Sequence, residues 1–216
     1  MGASTAEGTA ALQTIATDAL LVKALWADRS QPGLGQLLEH LQAALPGQAL
    51  RLQAASGIEQ AQLYAYLWLE KRTPVGKALV TSLEQQLKKA LPQLQDISVS
   101  RLEKVFATGG ASAGETPVFH YAVEMDPETG WMPELSQWYD TEHMPGLATV
   151  PGCVRATRLL NHDHGPLSLA CYDLVTQETL GSGPWLAVRG TEWSSRMRPR
   201  FTNTIRTMFR SLPARG

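Results

Sequence analysis

Two successive stretches of the chain carry the same order of hydrophobic patterns, and that repetition limits the fold more than any other feature of the sequence. The first opens with Ala19–Ala27, an apolar run broken only by Lys23, which reads as a buried strand. Gln31–Leu45 puts Leu34, Leu37, Leu38, Leu41 and Leu45 on one helical stripe, closed by Pro46-Gly47. Ala49–Ala55 and Gln62–Glu70 read as strands around a turn at Ser56-Gly57. Thr73-Pro74 reads as a helix start, with Val75, Leu79, Leu83, Leu87 and Leu91 as its stripe, and Ile97–Phe106 as the closing strand.

The second stretch repeats the order. Val118–Met125 is a strand, and Met132–Met144 a helix with Leu135, Trp138 and Tyr139 at helical spacing. Cys153–Leu160 and Leu167–Val175 are strands around a turn at residues 161–165, a helix runs from Pro184 to just before Pro199, and Phe201–Phe209 is the last strand. Two β-α-β-β-α-β units in tandem are the ferredoxin-like pattern twice over. Each unit covers one sheet face with helices and leaves the other bare. Apolar residues lie on both parities of the strands, so the bare faces must be buried, most economically against each other around a barrel-like interior. The expected fold class is α+β, two ferredoxin-like units packed sheet to sheet in one chain. The non-periodic, small-residue stretch 108–117 reads as a flexible linker. The expected division is an irregular N-terminus over residues 1–17, one domain over 18–107, the linker, and a second domain over 118–212.

Composition excludes several classes. Nineteen Lys+Arg against twenty Asp+Glu argue against a generally basic nucleic-acid binder. No apolar run approaches the roughly 18 residues that span a membrane, and the N-terminus lacks the pattern of a secretory signal. Two cysteines make no disulfide framework, so the expected location is cytoplasmic.

The segment Trp138-Tyr-Asp-Thr-Glu-His-Met-Pro145, followed by Val150-Pro-Gly-Cys-Val-Arg-Ala-Thr-Arg158, resembles the EthD-like proteins of the dimeric α/β-barrel superfamily. There an aromatic residue precedes an E-H-x-P helix end, and a Pro-Gly…Arg strand follows. The resemblance covers roughly the second half; the first half shares only the element order and has His40 but no E-H-x-P. It implies a barrel of two ferredoxin-like sheets with a ligand cavity between sheet and helices. The wider superfamily includes monooxygenases, cyclases, isomerases, decarboxylases and haem peroxidases, so function has to be argued from the site.

His143 leads the candidates. Pro145 disfavours helical geometry at Met144, which sets His143 in a last helical turn with Tyr139 on the same face and Glu142 beside it. An imidazole with a phenol alongside suits general acid–base work or a hydrogen bond to a carbonyl oxygen. His143 as a plain helix cap is the structural alternative. His120 and Glu124 share one parity of their strand, opposite Phe119, Tyr121, Val123 and Met125, so His120 is either a barrel residue or a core histidine bonded to a neighbour. Arg155 and Asp173 are the nearest further polar groups, and Trp138 is a candidate lining residue. The catalytic candidates are therefore His143, His120 and Tyr139, and the substrate-binding candidates Glu142, Glu124, Arg155 and Trp138.

The remaining signals point to structure. His162 and His164 form H-D-H in a turn without a third ligand nearby, which reads as a solvated turn. No haem-attachment motif is present, and neither Cys153 nor Cys171 has an evident base beside it. Metal and cofactor are accordingly expected to be none. Charge is segregated: seven acids and no Lys or Arg from Glu115 to Glu142, then seven Arg and one acid from Arg189 onward. These blocks should meet across neighbouring strands and pair; an inward Arg holding an anionic substrate is the second reading.

The expected function is small-molecule binding, as a cofactor-independent enzyme acting on a small apolar carbonyl or aromatic compound by general acid–base catalysis. The alternative is a non-catalytic ligand-binding or accessory protein. The expected partner is a small apolar or aromatic ligand, not nucleic acid or membrane, with a homodimer of the two-domain chain as a further expectation.

Overall fold

The computed structural model describes residues 14–27 and 33–213. The sequence expectations for residues 1–13, 31 and 32 lie outside them. Among the described residues eight strands and six α-helices follow one another as β1 (Thr14–Leu25), α1 (Leu34–Ala44), β2 (Leu50–Gly57), β3 (Gln62–Gly76), α2 (Lys77–Ala90), β4 (Gln95–Gly109), β5 (Phe119–Pro127), α3 (Met132–Trp138), α4 (Met144–Ala148), β6 (Cys153–Asn161), β7 (Ser168–Leu174), α5 (Gly183–Arg189), α6 (Glu192–Met197) and β8 (Phe201–Leu212).

The strands close into one antiparallel barrel in the order β1-β3-β2-β8-β5-β7-β6-β4. Each half supplies four neighbouring strands in the same relative order, fourth-first-third-second. The halves join edge to edge at two seams, β2 against β8 and β4 against β6. Closure gives every strand a neighbour on both sides over at least part of its length. The fold is thus the α+β dimeric α/β-barrel architecture within a single chain.

Three apolar clusters follow from strand parity. Outside the barrel, α1 and α2 cover the first half through Leu37, Leu41, Val80, Leu83 and Leu87. The other four helices cover the second half, where Leu135, Trp138, Met144 and Trp185 are fully buried. Inside, Leu21, Tyr66, Leu102, Leu159, Leu169 and Phe209 from both halves meet.

Local chemistry corrects four sequence expectations. Thr73-Pro74 starts no helix: β3 runs on to Gly76, and Pro74 pairs with Ala16. Beyond Leu69, β3 pairs with β1 alone, an edge position where proline is tolerated. Val75 is therefore a buried strand residue rather than part of the helical stripe. The helix expected from Pro184 is two, α5 and α6, parted at Gly190 and restarted by Thr191, whose hydroxyl accepts from Ser194 N–H. The small-residue stretch after β4 is bonded along its length rather than free: Gly110, Ala111 and Ser112 donate backbone N–H groups to Val154, Ala148 and Cys153.

The turn into β6 depends on Gly152. Its φ is +92°, and a Cβ there would lie 2.2 Å from Thr179 Oγ1. Gly152→Ala should cost about 1–3 kcal/mol, from backbone strain and overpacking together. Urea unfolding of the variant checks this; an unchanged midpoint contradicts it.

Candidate functional site

The helix carrying His143 does not end at Pro145. Tyr139–His143 form a π-helical turn between α3 and α4, and Met144 N–H donates to Tyr139 O five residues back. The wider turn relieves the clash that Pro145 would have with a carbonyl of an α-helical turn. It also changes which side chains stack. Trp138 and His143, five apart, lie face to face with ring centroids 4.1 Å apart, while Tyr139 meets His143 edge-on at 5.6 Å.

His143 is buried, and its Nδ1 has no hydrogen-bond partner among the described residues. Burial, with the charges of Arg189 and Arg198, pushes its pKa down to about 3. Burial holds the Tyr139 phenol well above its ordinary value, outweighing Arg158 and Arg206. At neutral pH His143 is an uncharged imidazole and Tyr139 an un-ionised phenol. The helix end expected at His143 is not found, because the helix continues through the π-turn into α4.

These residues face a pocket between the second-half sheet and its helices. Tyr139, Tyr172 and Trp185 form its aromatic walls, and Arg189, Arg198 and Arg206 reach it from α5, the turn after α6 and β8. No carboxylate pairs with these three guanidinium groups among the described residues; Arg198 donates to Ser194 O at 3.3 Å. Tyr172 Oη, Trp185 Nε1, Trp138 Nε1 and His143 Nδ1 are buried without a partner. Unpaired buried polar atoms are rare and point to a missing partner. The acid and arginine blocks of the sequence do meet, but only in part: Arg196 pairs with Glu134 at 2.6 Å and Arg200 with Glu128 at 2.9 Å. Glu142 accepts instead from the Thr191 hydroxyl, at 2.7 Å.

His120 and Glu124 lie on the other side of the sheet, inside the barrel. His120, Asp173 and Arg155 are direct cross-strand partners on β5, β7 and β6, so all three side chains share one row. His120 Nδ1 is 2.7 Å from Asp173 Oδ1, Arg155 Nη2 donates to Asp173 Oδ2 at 2.6 Å, and Gln53 Nε2 donates to Asp173 at 3.1 Å. His120 Nε2 is 3.0 Å from Tyr66 Oη. Burial alone would lower the His120 pKa, but the charge of Cys171 and the bond to Asp173 outweigh it and raise it to about 10. At the opposite end of the barrel Glu124 accepts from Lys23 and from Tyr64. The sheet therefore separates His120 from His143, and no single pocket uses both.

The sequence reading missed Tyr66 and the three pocket arginines. Tyr64, Tyr66 and Trp68 alternate along β3, a period-two aromatic stripe that marks one sheet face. His162 and His164 point to separate carboxylates, Glu103 at 3.2 Å and Glu84 at 2.9 Å.

No protein-family model matches the chain, and no curated protein matches it by sequence. Solved structures do match in fold. A Fusobacterium nucleatum protein named a candidate monooxygenase is 9% identical, with 92% of this chain and 94% of that one covered at a TM-score of 0.60. An anthrone oxidase-like protein is 12% identical, with 93% and 92% covered at 0.58. Chlorite dismutase from Candidatus Nitrospira defluvii is 10% identical, with 94% and 95% covered at 0.53. At such identities the likeness establishes the fold.

These neighbours are named for oxidation chemistry, and that overturns cofactor-independent acid–base catalysis on a carbonyl compound as the reading of function. The site agrees with the correction. An acid–base catalyst works best with a pKa near the operating pH. His143 sits far below neutrality and His120 far above it.

Haem, known in the wider superfamily, does not fit the pocket as it stands. The cavity of about 40 Å³ holds roughly three waters, against about 300 Å³ or more for an ordinary ligand pocket. A metal-bound imidazole also has its second nitrogen held by a partner, which His143 lacks.

The buried neutral imidazole makes stability pH-dependent. The folded pKa of His143 lies near 3, below about 6.5 for the unfolded chain. Its contribution is present above pH ~6.5 and is lost as pH falls from there through the folded value, because only the unfolded chain takes the proton. His143→Gln should flatten stability between pH ~6.5 and ~4, as read by urea unfolding at each pH. An unchanged slope rules out the buried neutral state.

Proposed function

We propose that the chain is an oxidoreductase acting on a small aromatic anion, a phenolate or an aromatic carboxylate, bound between the second-half sheet and its helices. The carrying observation is the convergence of Arg189, Arg198 and Arg206, none paired with a carboxylate among the described residues, on a pocket with aromatic walls. Guanidinium forks suit carboxylate and phenolate oxygens, and Tyr172 and Trp185 offer flat faces and unpaired donors. In this reading His143 lines the site as a neutral hydrogen-bonding group stacked on Trp138. The reaction class is supported by the names of the fold neighbours.

A single aromatic ring needs more space than the present cavity, so α5 and α6 would part at the Gly190 joint as it enters. The same reading takes residues 118–212 as an EthD-like ligand-binding half, with Trp138 and His143 as its signature positions, and residues 18–107 as the scaffold half.

Titration calorimetry with benzoate, salicylate and their uncharged amides tests the binding. The anions should bind and the amides should not. Arg206→Ala should weaken binding by about tenfold or more, the worth of one charge-assisted contact. Equal binding of the amides defeats the anion reading, and absence of oxygen or peroxide consumption across a panel of hydroxylated aromatics defeats the oxidative one.

A further inference from the structure

A closed barrel has two mouths, and the one at the His120 end opens into a groove that the helix-covered pocket does not share. Its cavity is about 430 Å³. Ordinary ligand sites span roughly 300–1,000 Å³, and the mouths of β-barrels are among the places they favour. Strand parity puts Arg51 and Gln53 of β2 in line with interior Ala55, and Arg155 of β6 in line with interior Leu159. β2 and β6 lie four strands apart in either direction around the ring, so the two arginines reach the groove from opposite walls.

Both cations are held in place. Arg155 donates from Nε and Nη2 to Asp173 Oδ2, at 3.1 and 2.6 Å, and its Nη1 has no hydrogen-bond partner among the described residues. Asp173 also binds His120 and Gln53, and Gln53 Oε1 accepts from Trp68 Nε1 at 3.1 Å. The Arg51 guanidinium lies over the Trp68 ring, 5.6 Å from its centroid. It pairs with no carboxylate among the described residues. One network thus runs from Arg155 through Asp173 and Gln53 to the ring that carries Arg51. Partial burial and the charge of Arg155 lower the Arg51 pKa, against Asp173. Two guanidinium groups that repel each other across a cavity suit an oxyanion between them.

The rest of the wall is aliphatic. Pro117, Val118, Leu212 and Pro213 line the groove, and among the described residues no aromatic ring does. Val118 is 37% exposed, an apolar side chain left open to the groove. Its backbone is nevertheless fixed: the N–H donates to Leu174 O at 3.0 Å, and the carbonyl accepts from Ser211 N–H at 2.9 Å. An ordered apolar wall beside unpaired guanidinium donors fits a ligand with an anionic head and an apolar body. We propose that this mouth binds an aliphatic carboxylate, a medium-chain fatty acid anion, with its head between Arg51 and Arg155 and its chain along Val118 and Leu212. The class differs from that of the helix-covered pocket, whose walls are aromatic, and no described residue lines both.

Titration calorimetry of the whole chain with octanoate, octanamide and acetate tests the site. Octanoate should bind. Octanamide, which lacks the charge, and acetate, which lacks the chain, should each bind at least about tenfold more weakly. Arg51→Ala should weaken octanoate by about tenfold or more, and Val118→Asp, which sets a like charge against the ligand, by at least as much. Arg51 and Val118 are both exposed, and an unchanged urea midpoint identifies the variants that keep the fold. The proposal is overturned if octanoate does not bind, if octanamide or acetate matches it, or if either folded variant binds octanoate like the parent. Neither residue lines the aromatic pocket, so the reading of that pocket stands or falls on its own titrations.

Discussion

Asp173→Ala should destabilise the protein by about 3–5 kcal/mol, the usual cost of removing one partner from a buried ion pair. Asp173 is 4% exposed and holds His120, Arg155 and Gln53 at once. Burial raises its pKa, but the bonds to His120 and Arg155 outweigh this and leave it below the ordinary value. Without it His120 keeps only Cys171 among the groups that favour its imidazolium, and it gives up its proton more readily. That relief sets the expected loss near the lower end of the range. The same exchange has a signature in pH. The folded pKa of His120 is about 10, above the unfolded ~6.5. Its stabilisation is complete below pH ~6.5 and is lost as pH rises through the folded value. Asp173 has the opposite sign: its share is present above the unfolded pKa of ~3.9 and is lost in acid. With His143 adding its own loss below pH ~6.5, stability should peak near that value and fall on both sides. In Asp173→Ala the alkaline limb should weaken, because one of the two groups that raise the His120 pKa is gone. A parent protein whose urea midpoint is flat from pH 7 to 10 would falsify the charged state of His120.

The strand order was legible because it depends on short-range patterns. Lys23 alone among apolar neighbours, the Leu34–Leu45 stripe and the turn at 161–165 each declare an element without tertiary help, whereas Ser56-Gly57, read as a turn, ends β2 in paired strand and the turn follows over 58–61. Parity also separated His120 and Glu124 from Tyr121 and Val123, and the barrel interior received the polar pair. What failed depends on partners far away in sequence. Pro74 reads as a helix start until β1 lies beside it. Pro145 reads as a helix stop, because the π-turn that accommodates it is stabilised by Trp138 stacking on His143 inside a packed pocket. The charge blocks said that acids and arginines would meet, but not that α6 and its following turn would spend Arg196 and Arg200 on ion pairs while Arg189, Arg198 and Arg206 faced the pocket.

The second half alone, residues 118–213, should not persist as a monomer. Cutting the chain before β5 opens both seams, leaving β8 without β2 and β6 without β4. The exposed edges are templates for pairing with other chains. The interior suffers as much. Leu159, Leu169 and Phe209 would lose Leu21, Tyr66 and Leu102 and face water. Glu124, 1% exposed in the whole chain, takes both its partners, Lys23 and Tyr64, from the first half. Asp173 loses Gln53 and His120 loses Tyr66. Because both halves present edges in the same strand order, the second half has a ready substitute for its missing partner in a second copy of itself. Light scattering should therefore find a dimer or larger assembly of 118–213, and co-expression with 14–117 should draw it into a one-to-one complex. A monodisperse 118–213 monomer that unfolds cooperatively would mean that the seams do not hold the barrel closed. A half that self-associates and then prefers the first half over its own copy would locate the preference inside the barrel, because backbone pairing at the seams is open to either partner, whereas Lys23 and Tyr64 supply Glu124 only from the first half.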